Sequence, residues 1–202
     1  MSDLGDQYRC PMGRRGRLVA TMMNEHHEQL TTWGLKKVTI DSHYVILDVG
    51  CGGGKAISKL SQLAAHGKVY GIDCSADMVK FSKKINKELI VQNRVEIREG
   101  SVEKISFEDD FFDLVTAIET YYFWSNLPVA FKEILRILRP GGKLLIINEL
   151  LYGLTPAKII EETYVKLFPL EEIQNLLASV GFVDVRVFTK VESLWNAIIA
   201  KK

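Results

Sequence analysis

Val45-Ile46-Leu47-Asp48-Val49-Gly50-Cys51-Gly52-Gly53-Gly54 is the stretch that decides the fold. An apolar run ends near an acid and then breaks into glycines, with a helical pattern beyond them. This predicts a buried strand that delivers the backbone into a tight turn. Glycine is needed in such a turn because a Cβ blocks positive φ angles and the close approach of a ligand to main chain. The run is apolar on both faces, as expected of a central strand covered by helices.

Further strand-like runs lie at 68–72, 94–98, 112–117 and 143–148, with the first placed at 44–49. Helical spacing fills the gaps. Ile57, Leu60 and Ala64 share one face, as do Met78, Ser82, Ile85 and Leu89. Phe131, Ile134, Leu135 and Leu138 line a helix started by Pro128 and stopped by Pro140-Gly141-Gly142. Strands alternating with amphipathic helices predict crossovers and a parallel sheet. Ahead of them Leu18, Met22, His26, Leu30 and Trp33 predict one apolar helical face ending at Gly34, after a loose start over 1–13. Helical segments follow at 156–167 and 170–180, the last closed by Gly181. The runs 182–188 and 193–200 are joined by a turn too short for a parallel crossover, so they predict an antiparallel hairpin.

The expectation is one α/β domain over 1–202 with a Rossmann-like, seven-stranded, mostly parallel sheet, its last strand antiparallel and helices on both faces. Residues 1–36 form a tail and helical cap, 40–150 a cofactor-binding core, and 151–202 the C-terminal helices and antiparallel strand pair.

Composition narrows the function classes. At 202 residues, 47% hydrophobic and 25% charged, the chain reads as an ordinary globular protein. A net charge of +1 gives no global reason for a polyanionic partner. Cys10, Cys51 and Cys74 form no CxxC pair, which suits a reducing compartment. The start lacks the apolar core of a signal peptide, and no apolar run approaches the roughly 20 residues that span a bilayer. A soluble, cytoplasmic protein is expected, with no membrane insertion, as a monomer or homodimer.

The glycine loop excludes two nucleotide motifs. A Walker loop needs GxxxxGK and then Ser or Thr, but Val49 stands where its first glycine belongs and Ala56 follows Lys55. The dinucleotide fingerprint starts with Gly50 and Gly52, yet Lys55 holds its third position. The second strand ends in Gly71-Ile72-Asp73, where a carboxylate can accept from both ribose hydroxyls of a nucleoside.

These residues, with Ser75-Ala76-Asp77-Met78, Phe111–Val115 and Leu138–Ile146, resemble the class I S-adenosylmethionine-dependent methyltransferases, in their small-molecule branch. The resemblance covers roughly residues 40–150. It implies S-adenosylmethionine as donor and S-adenosylhomocysteine as product. Asp48 and the Gly50 backbone then hold the methionine end, Gly52 admits the nucleoside, and Asp73 chelates the ribose diol. Met78 either packs on the adenine or fills a helix core position. Ser101, where many relatives carry an acid, accepts from the adenine amino group, and the Val102 amide offers another contact. Cys51 and Cys74 lie within the cofactor blocks as small apolar fillers.

Methyl transfer from a sulfonium needs alignment of nucleophile and methyl, and a base only when the acceptor binds protonated. Strand four ends in Ala117-Ile118-Glu119-Thr120-Tyr121-Tyr122-Phe123-Trp124 at the ligand-binding edge of such sheets. Glu119 and Tyr121 are the catalytic candidates. Glu119 reads as an anchor for the cofactor or acceptor, as a base, or as a capping carboxylate. Tyr122, Phe123 and Trp124 read as core residues, with at least one lining the pocket. No metal is expected: Glu119 with Asn148-Glu149 poorly matches the magnesium pattern of catechol-type relatives, and His26-His27 lacks HExxH spacing. Either histidine enters the site if the N-terminal helix lids it. The basic run Arg9, Arg14, Arg15 and Arg17 reads as a grip on an anion or RNA, or as a solvated tail. Nucleic acid is disfavoured by the absence of an [Asn/Asp]-Pro-Pro-[Tyr/Phe] turn after strand four and of a Pro-Cys nucleophile. A nicotinamide oxidoreductase and a non-catalytic S-adenosylmethionine-binding protein are the alternatives.

Overall fold

In the computed structural model, which describes residues 10–202 apart from Tyr164, β1 (Val45–Val49) lies inside the sheet. It pairs in parallel with β2 (Lys68–Asp73) on one side and β4 (Phe112–Ile118) on the other. Beyond β2 comes β3 (Val95–Glu99), and beyond β4 comes β5 (Leu138–Asn148), both parallel to their neighbours. The C-terminal β6 (Val183–Lys190) and β7 (Trp195–Lys201) form the expected antiparallel hairpin, and β7 also runs antiparallel to β5. The seven-stranded order is β3-β2-β1-β4-β5-β7-β6. The order reverses between β1 and β4, and in open α/β sheets ligands bind in the crevice at the carboxyl ends beside such a reversal.

Side chains alternate across this sheet with the strand period of two. Leu47, Val115, Leu144 and Ile146 pack on one face, against α6 (Leu127–Ile137) and α8 (Leu170–Val180). Ile46, Leu114, Leu145 and Ile147 pack on the other, against α2 (Glu28–Leu35) and α3 (Lys55–Leu63). Both faces are therefore covered, as the doubly apolar run at 45–49 requires. Leu60 of α3 is fully buried, and cutting such a side chain to Ala costs about 2–5 kcal/mol. Among the described residues, no helix is long and apolar enough to cross a membrane.

Three expectations change. The N-terminal helix is two helices, α1 (Gly13–His26) and α2, broken at His27. Leu18 and Met22 of the expected apolar face are 67% and 69% exposed, while Gly16 and Ala20 are buried. The face turned inward is Ala20, Met23, Asn24, His27 and Thr31, at helical spacing i, i+3, i+4, i+7 and i+11, and it lines a cavity rather than a core. Residues 1–9 of the expected loose start, Arg9 of the basic run among them, lie outside the described residues.

The helix carrying Met78 also breaks early. α4 (Ala76–Ile85) stops at Asn86, whose side chain donates to the Ser82 and Gly54 carbonyls at 3.0 Å each, and α5 (Lys87–Val91) follows. Asn86 thus ties the end of α4 to the glycine loop, and Ile85 is left 48% exposed. Lastly, β5 starts at Leu138 rather than 143. Leu138 pairs with Phe112, and Pro140-Gly141-Gly142 becomes an irregularity within the strand, with Gly141 at φ +82°, instead of a gap before it. A short α7 (Ala157–Thr163) occupies the expected 156–167 region.

Candidate functional site

Gly50 and Gly52 adopt φ of +70° and +48°, and Gly54 follows at +77°. A Cβ at Gly50 would fall on the Thr120 hydroxyl at the end of β4. The turn is laced to β2: Gly50 N–H and Cys51 N–H donate to the Ile72 carbonyl at 2.8 and 3.0 Å. The Gly50 amide is therefore committed to the sheet, which leaves its carbonyl edge for a ligand.

Asp48 is buried beneath the turn, and Thr116 Oγ1 donates to its Oδ1 at 2.7 Å. Burial pushes its carboxyl up to about 7; the Thr116 bond pulls the other way, and nearby Asp73 adds to the rise. Asp73 ends β2 and accepts from Gly52 N–H and Ser75 N–H, one on each oxygen, at 2.8 Å. Each oxygen keeps a further lone pair. Burial raises this carboxyl too, and the two amide bonds oppose the rise. Ser75 caps α4 by accepting from Met78 N–H at 3.3 Å, and its hydroxyl donates to the Pro11 carbonyl at 2.6 Å. Gly13 N–H donates to Asp77 at 2.8 Å. Those two bonds fasten the start of α1 to the start of α4.

Glu119 sits just past β4 at φ +55°, a left-handed backbone that only a well-fixed non-glycine residue holds. Its N–H donates to the Ile147 carbonyl at 2.9 Å, and its Oε1 accepts from Glu149 N–H at 2.6 Å. Tyr122 donates its hydroxyl to Oε2 at 2.5 Å. Burial lifts the Glu119 carboxyl to about 7, although the charge of His27 opposes this. His27 Nε2 lies 3.8 Å from Glu119 Oε2 and 3.6 Å from Glu149 Oε1. Burial pulls His27 down, but the two carboxylates outweigh it and leave it raised. Glu149 goes the other way: burial raises it, and the contacts with His27 and His26 more than compensate, leaving it lowered.

One cavity of about 260 Å³ joins these groups at the carboxyl ends of the strands. Asp48, Gly50, Cys51, Gly52, Asp73, Cys74, Met78, Ser101, Val102 and Glu119 all line it. Ser101 is exposed, with its hydroxyl accepting from Glu103 N–H at 3.2 Å, while Met78 is fully buried and also serves the core. Burial pushes the Cys74 thiol up to about 12, and Cys51 is raised by the same cause, so neither attacks as a ready thiolate on its own and a link to Cys74 needs another thiol to react first. Phe123 and Trp124 line the cavity, and Trp124 Nε1 donates to Thr120 Oγ1 at 3.3 Å.

Tyr121 is not brought to the site. It is 2% exposed within the apolar cluster of α6 and β4, outside the cavity lining, and burial raises its hydroxyl. Tyr122, by contrast, supports Glu119 from behind. Sequence reasoning missed Met23, Asn24 and Thr31, which close the cavity from α1 and α2, and Thr120, Lys55 and Lys59. Of the two histidines, His27 enters the lining and His26 does not.

A family profile described as a methyltransferase domain matches residues 47–146. The demethylmenaquinone methyltransferase of Lactiplantibacillus plantarum is 31% identical over 139 residues, covering 67% of this chain and 56% of that one. The chain thus spans about half the length of the curated relative it matches there. Among solved structures, a chain of the complex between the Haloferax volcanii Trm112 methyltransferase activator and the putative methyltransferase superposes with a TM-score of 0.82. It is 17% identical, with 100% of this chain and 98% of that one covered. A SAM dependent methyltransferase from Aquifex aeolicus gives a TM-score of 0.74 at 23% identity, covering 90% and 96%. These two likenesses are of fold. The matched segment runs from the middle of β1 into β5 and so contains the glycine loop, Asp73 and Glu119; the chain belongs to the methyltransferase domain family.

Proposed function

We propose that this chain transfers a methyl group from S-adenosylmethionine to a small-molecule acceptor by in-line displacement. The observation that carries the reading is the convergence of Asp48, the glycine loop, Asp73, Met78, Ser101, Val102 and Glu119 on one cavity. Asp48 and the Gly50 carbonyl hold the methionine end of the donor. Asp73 takes the ribose hydroxyls on its remaining lone pairs. Met78 and Val102 pack on the adenine, and Ser101 accepts from its amino group.

Charge supports this donor over a dinucleotide. Asp48, Asp73 and Glu119 place carboxyls around the loop where a dinucleotide would set its anionic pyrophosphate, whereas S-adenosylmethionine brings a sulfonium and an ammonium. Methyl transfer asks the protein chiefly to align two groups and exclude water. α1 is placed for the second task, since a Cβ on Gly53 would collide with Asn24. At the acceptor end, Glu119 and His27 face the cavity near Phe123 and Trp124. With its carboxyl near 7, Glu119 is suited to receive a proton from an acceptor that binds protonated.

Calorimetric titration with S-adenosylhomocysteine and with NADH tests the donor half. One site for the former and none for the latter is expected, and the reverse result overturns the reading in favour of an oxidoreductase. A radiolabelled methyl-transfer screen against fractionated metabolite extract tests the acceptor half. Cofactor binding with no transfer to any fraction would leave a binding protein without acceptor chemistry.

A further inference from the structure

Two adjacent histidines meet at the end of α1, and both reach one carboxylate. His26 Nε2 lies 3.2 Å from Oε1 and 3.1 Å from Oε2 of Glu149, and His27 Nε2 lies 3.6 Å from Oε1. Consecutive side chains of an unbroken helix diverge by about 100°. Here the helix breaks at His27 (φ −84°, ψ 3°), and the two rings meet edge-on with centroids 5.3 Å apart. One ligating atom from each of His26, His27 and Glu149 lies within 4.8 Å of the other two.

We propose that His26, His27 and Glu149 form a binding site for Zn²⁺ or a similar late first-row divalent ion. With metal–ligand bonds of about 2.0–2.1 Å, neighbouring donors of a tetrahedral ion stand roughly 3.3 Å apart. Glu149 Oε1 stands 3.2 Å from His26 Nε2 and 3.6 Å from His27 Nε2, spacings that already bracket that value. The nitrogen–nitrogen spacing is within 4.8 Å, and the His26 side chain, 68% exposed, has solvent beside it into which a small adjustment can be made. Two imidazoles and one carboxylate favour zinc over the hard, all-oxygen ions magnesium and calcium. Glu119 backs the site, with its Oε1 on the Glu149 amide and its Oε2 3.8 Å from His27. Three protein ligands leave an open position, as catalytic zinc sites do.

Of the three ligands His27 lines the cavity, beside Glu119, so a bound ion would stand at its edge. Taken with the proposed methyl transfer, on which this step rests, that edge would favour an acceptor offering the ion an oxygen or sulfur donor. The ion site itself does not depend on it. Sequence spacing gives no hint of the site, because Glu149 is remote along the chain and adjacent histidines ordinarily point apart.

The experiment uses untagged protein stripped with a chelator and titrated with Zn²⁺ against a chromophoric indicator. One tight equivalent is expected. Loss of a mere supporting residue around a metal costs about 10–100-fold in affinity, so His26→Ala and Glu149→Gln should each cost at least that. His43→Ala removes one of a separate exposed histidine pair, His43 and His66 with centroids 5.2 Å apart, and should change nothing. Absence of a tight equivalent, or wild-type affinity in His26→Ala, overturns the proposal; so does loss of the equivalent in His43→Ala. Titrating the same stripped protein with S-adenosylhomocysteine separates the two readings. Intact cofactor binding without zinc binding sinks the metal site alone, and zinc binding without cofactor binding sinks the methyl-transfer reading alone.

Discussion

Thr116 donates its hydroxyl to Asp48 across the β1–β4 boundary at 2.7 Å, and the carboxyl it meets is buried where the strand order reverses. Because the folded value of Asp48, about 7, lies above its ordinary 3.8, the folded chain holds the proton more tightly than the unfolded chain. Asp48 therefore contributes stability in full below about pH 4, and that contribution is lost as the pH rises through about 7. At about 1.4 kcal/mol per pH unit, the whole effect is roughly 4 kcal/mol. Asp48→Asn keeps an acceptor for Thr116 and removes the charge. In urea unfolding of the ligand-free protein, the variant should match wild type at or below about pH 4, begin to exceed it by about pH 5, and exceed it most at about pH 8. A stability gap that stays constant with pH contradicts the assignment.

Asp73→Ala should weaken S-adenosylhomocysteine by an amount typical of a lost charged hydrogen bond, roughly 1.5–3 kcal/mol. Because Asp73 also receives Gly52 N–H and Ser75 N–H, the alanine variant loosens the loop as well. Asp73→Asn preserves one acceptor oxygen and should fall between alanine and wild type. Calorimetry at fixed salt measures the series. Unchanged affinity in the alanine variant removes Asp73 from ribose recognition.

Cys74 Sγ lies 3.6 Å from Cys10 Sγ, with Cys74 in the cavity lining and Cys10 just ahead of Pro11, which also lines it. A disulfide needs about 2.05 Å, so the two sulfurs have to approach by roughly 1.5 Å. Mild oxidation by an added peroxide should join these two, and peptide mapping under non-reducing conditions should find that link. Cys51 is buried and should stay unreacted. Modification of Cys51 first, or no link between Cys10 and Cys74, contradicts the placement of the N-terminal segment over the cavity.

The parallel core was legible because β1 is apolar on both faces and Leu47 and Ile46 serve opposite layers, which no surface strand would support. The glycine turn and the acids at the strand ends were legible for a related reason. Glycine positions needing positive φ and acids at strand tips are local demands, written where they act. The lid was misread because Leu18 and Met22 mimic a core stripe while the working face is the small and polar one from Ala20 to Thr31. Periodicity of hydrophobicity cannot identify a helix that faces a cavity. Tyr121 was misassigned for a different reason: a 3-10 turn over Tyr121–Phe123 directs Tyr121 into the core and leaves Phe123 at the cavity. The His26–His27–Glu149 cluster depends on a helix break and on a partner far along the chain, and neither has a local signature.

Gly53 and Asn24 provide a direct measure of how closely α1 covers the loop. A Cβ at Gly53 would fall inside the Asn24 amide, whereas its own backbone is not in the left-handed region. Gly53→Ala therefore adds no φ strain and acts through one contact. Overpacking of this kind typically costs about 1–3 kcal/mol, less where the neighbour is a side chain able to move. Asn24→Ala removes that neighbour, so the double variant should recover much of the loss in both stability and S-adenosylhomocysteine affinity. The coupling expected for residues in direct contact is about 0.5–3 kcal/mol in a double-mutant cycle. Additive effects of the two substitutions mean that α1 does not rest on the glycine loop in solution, and the water-excluding role given to this helix then fails with it.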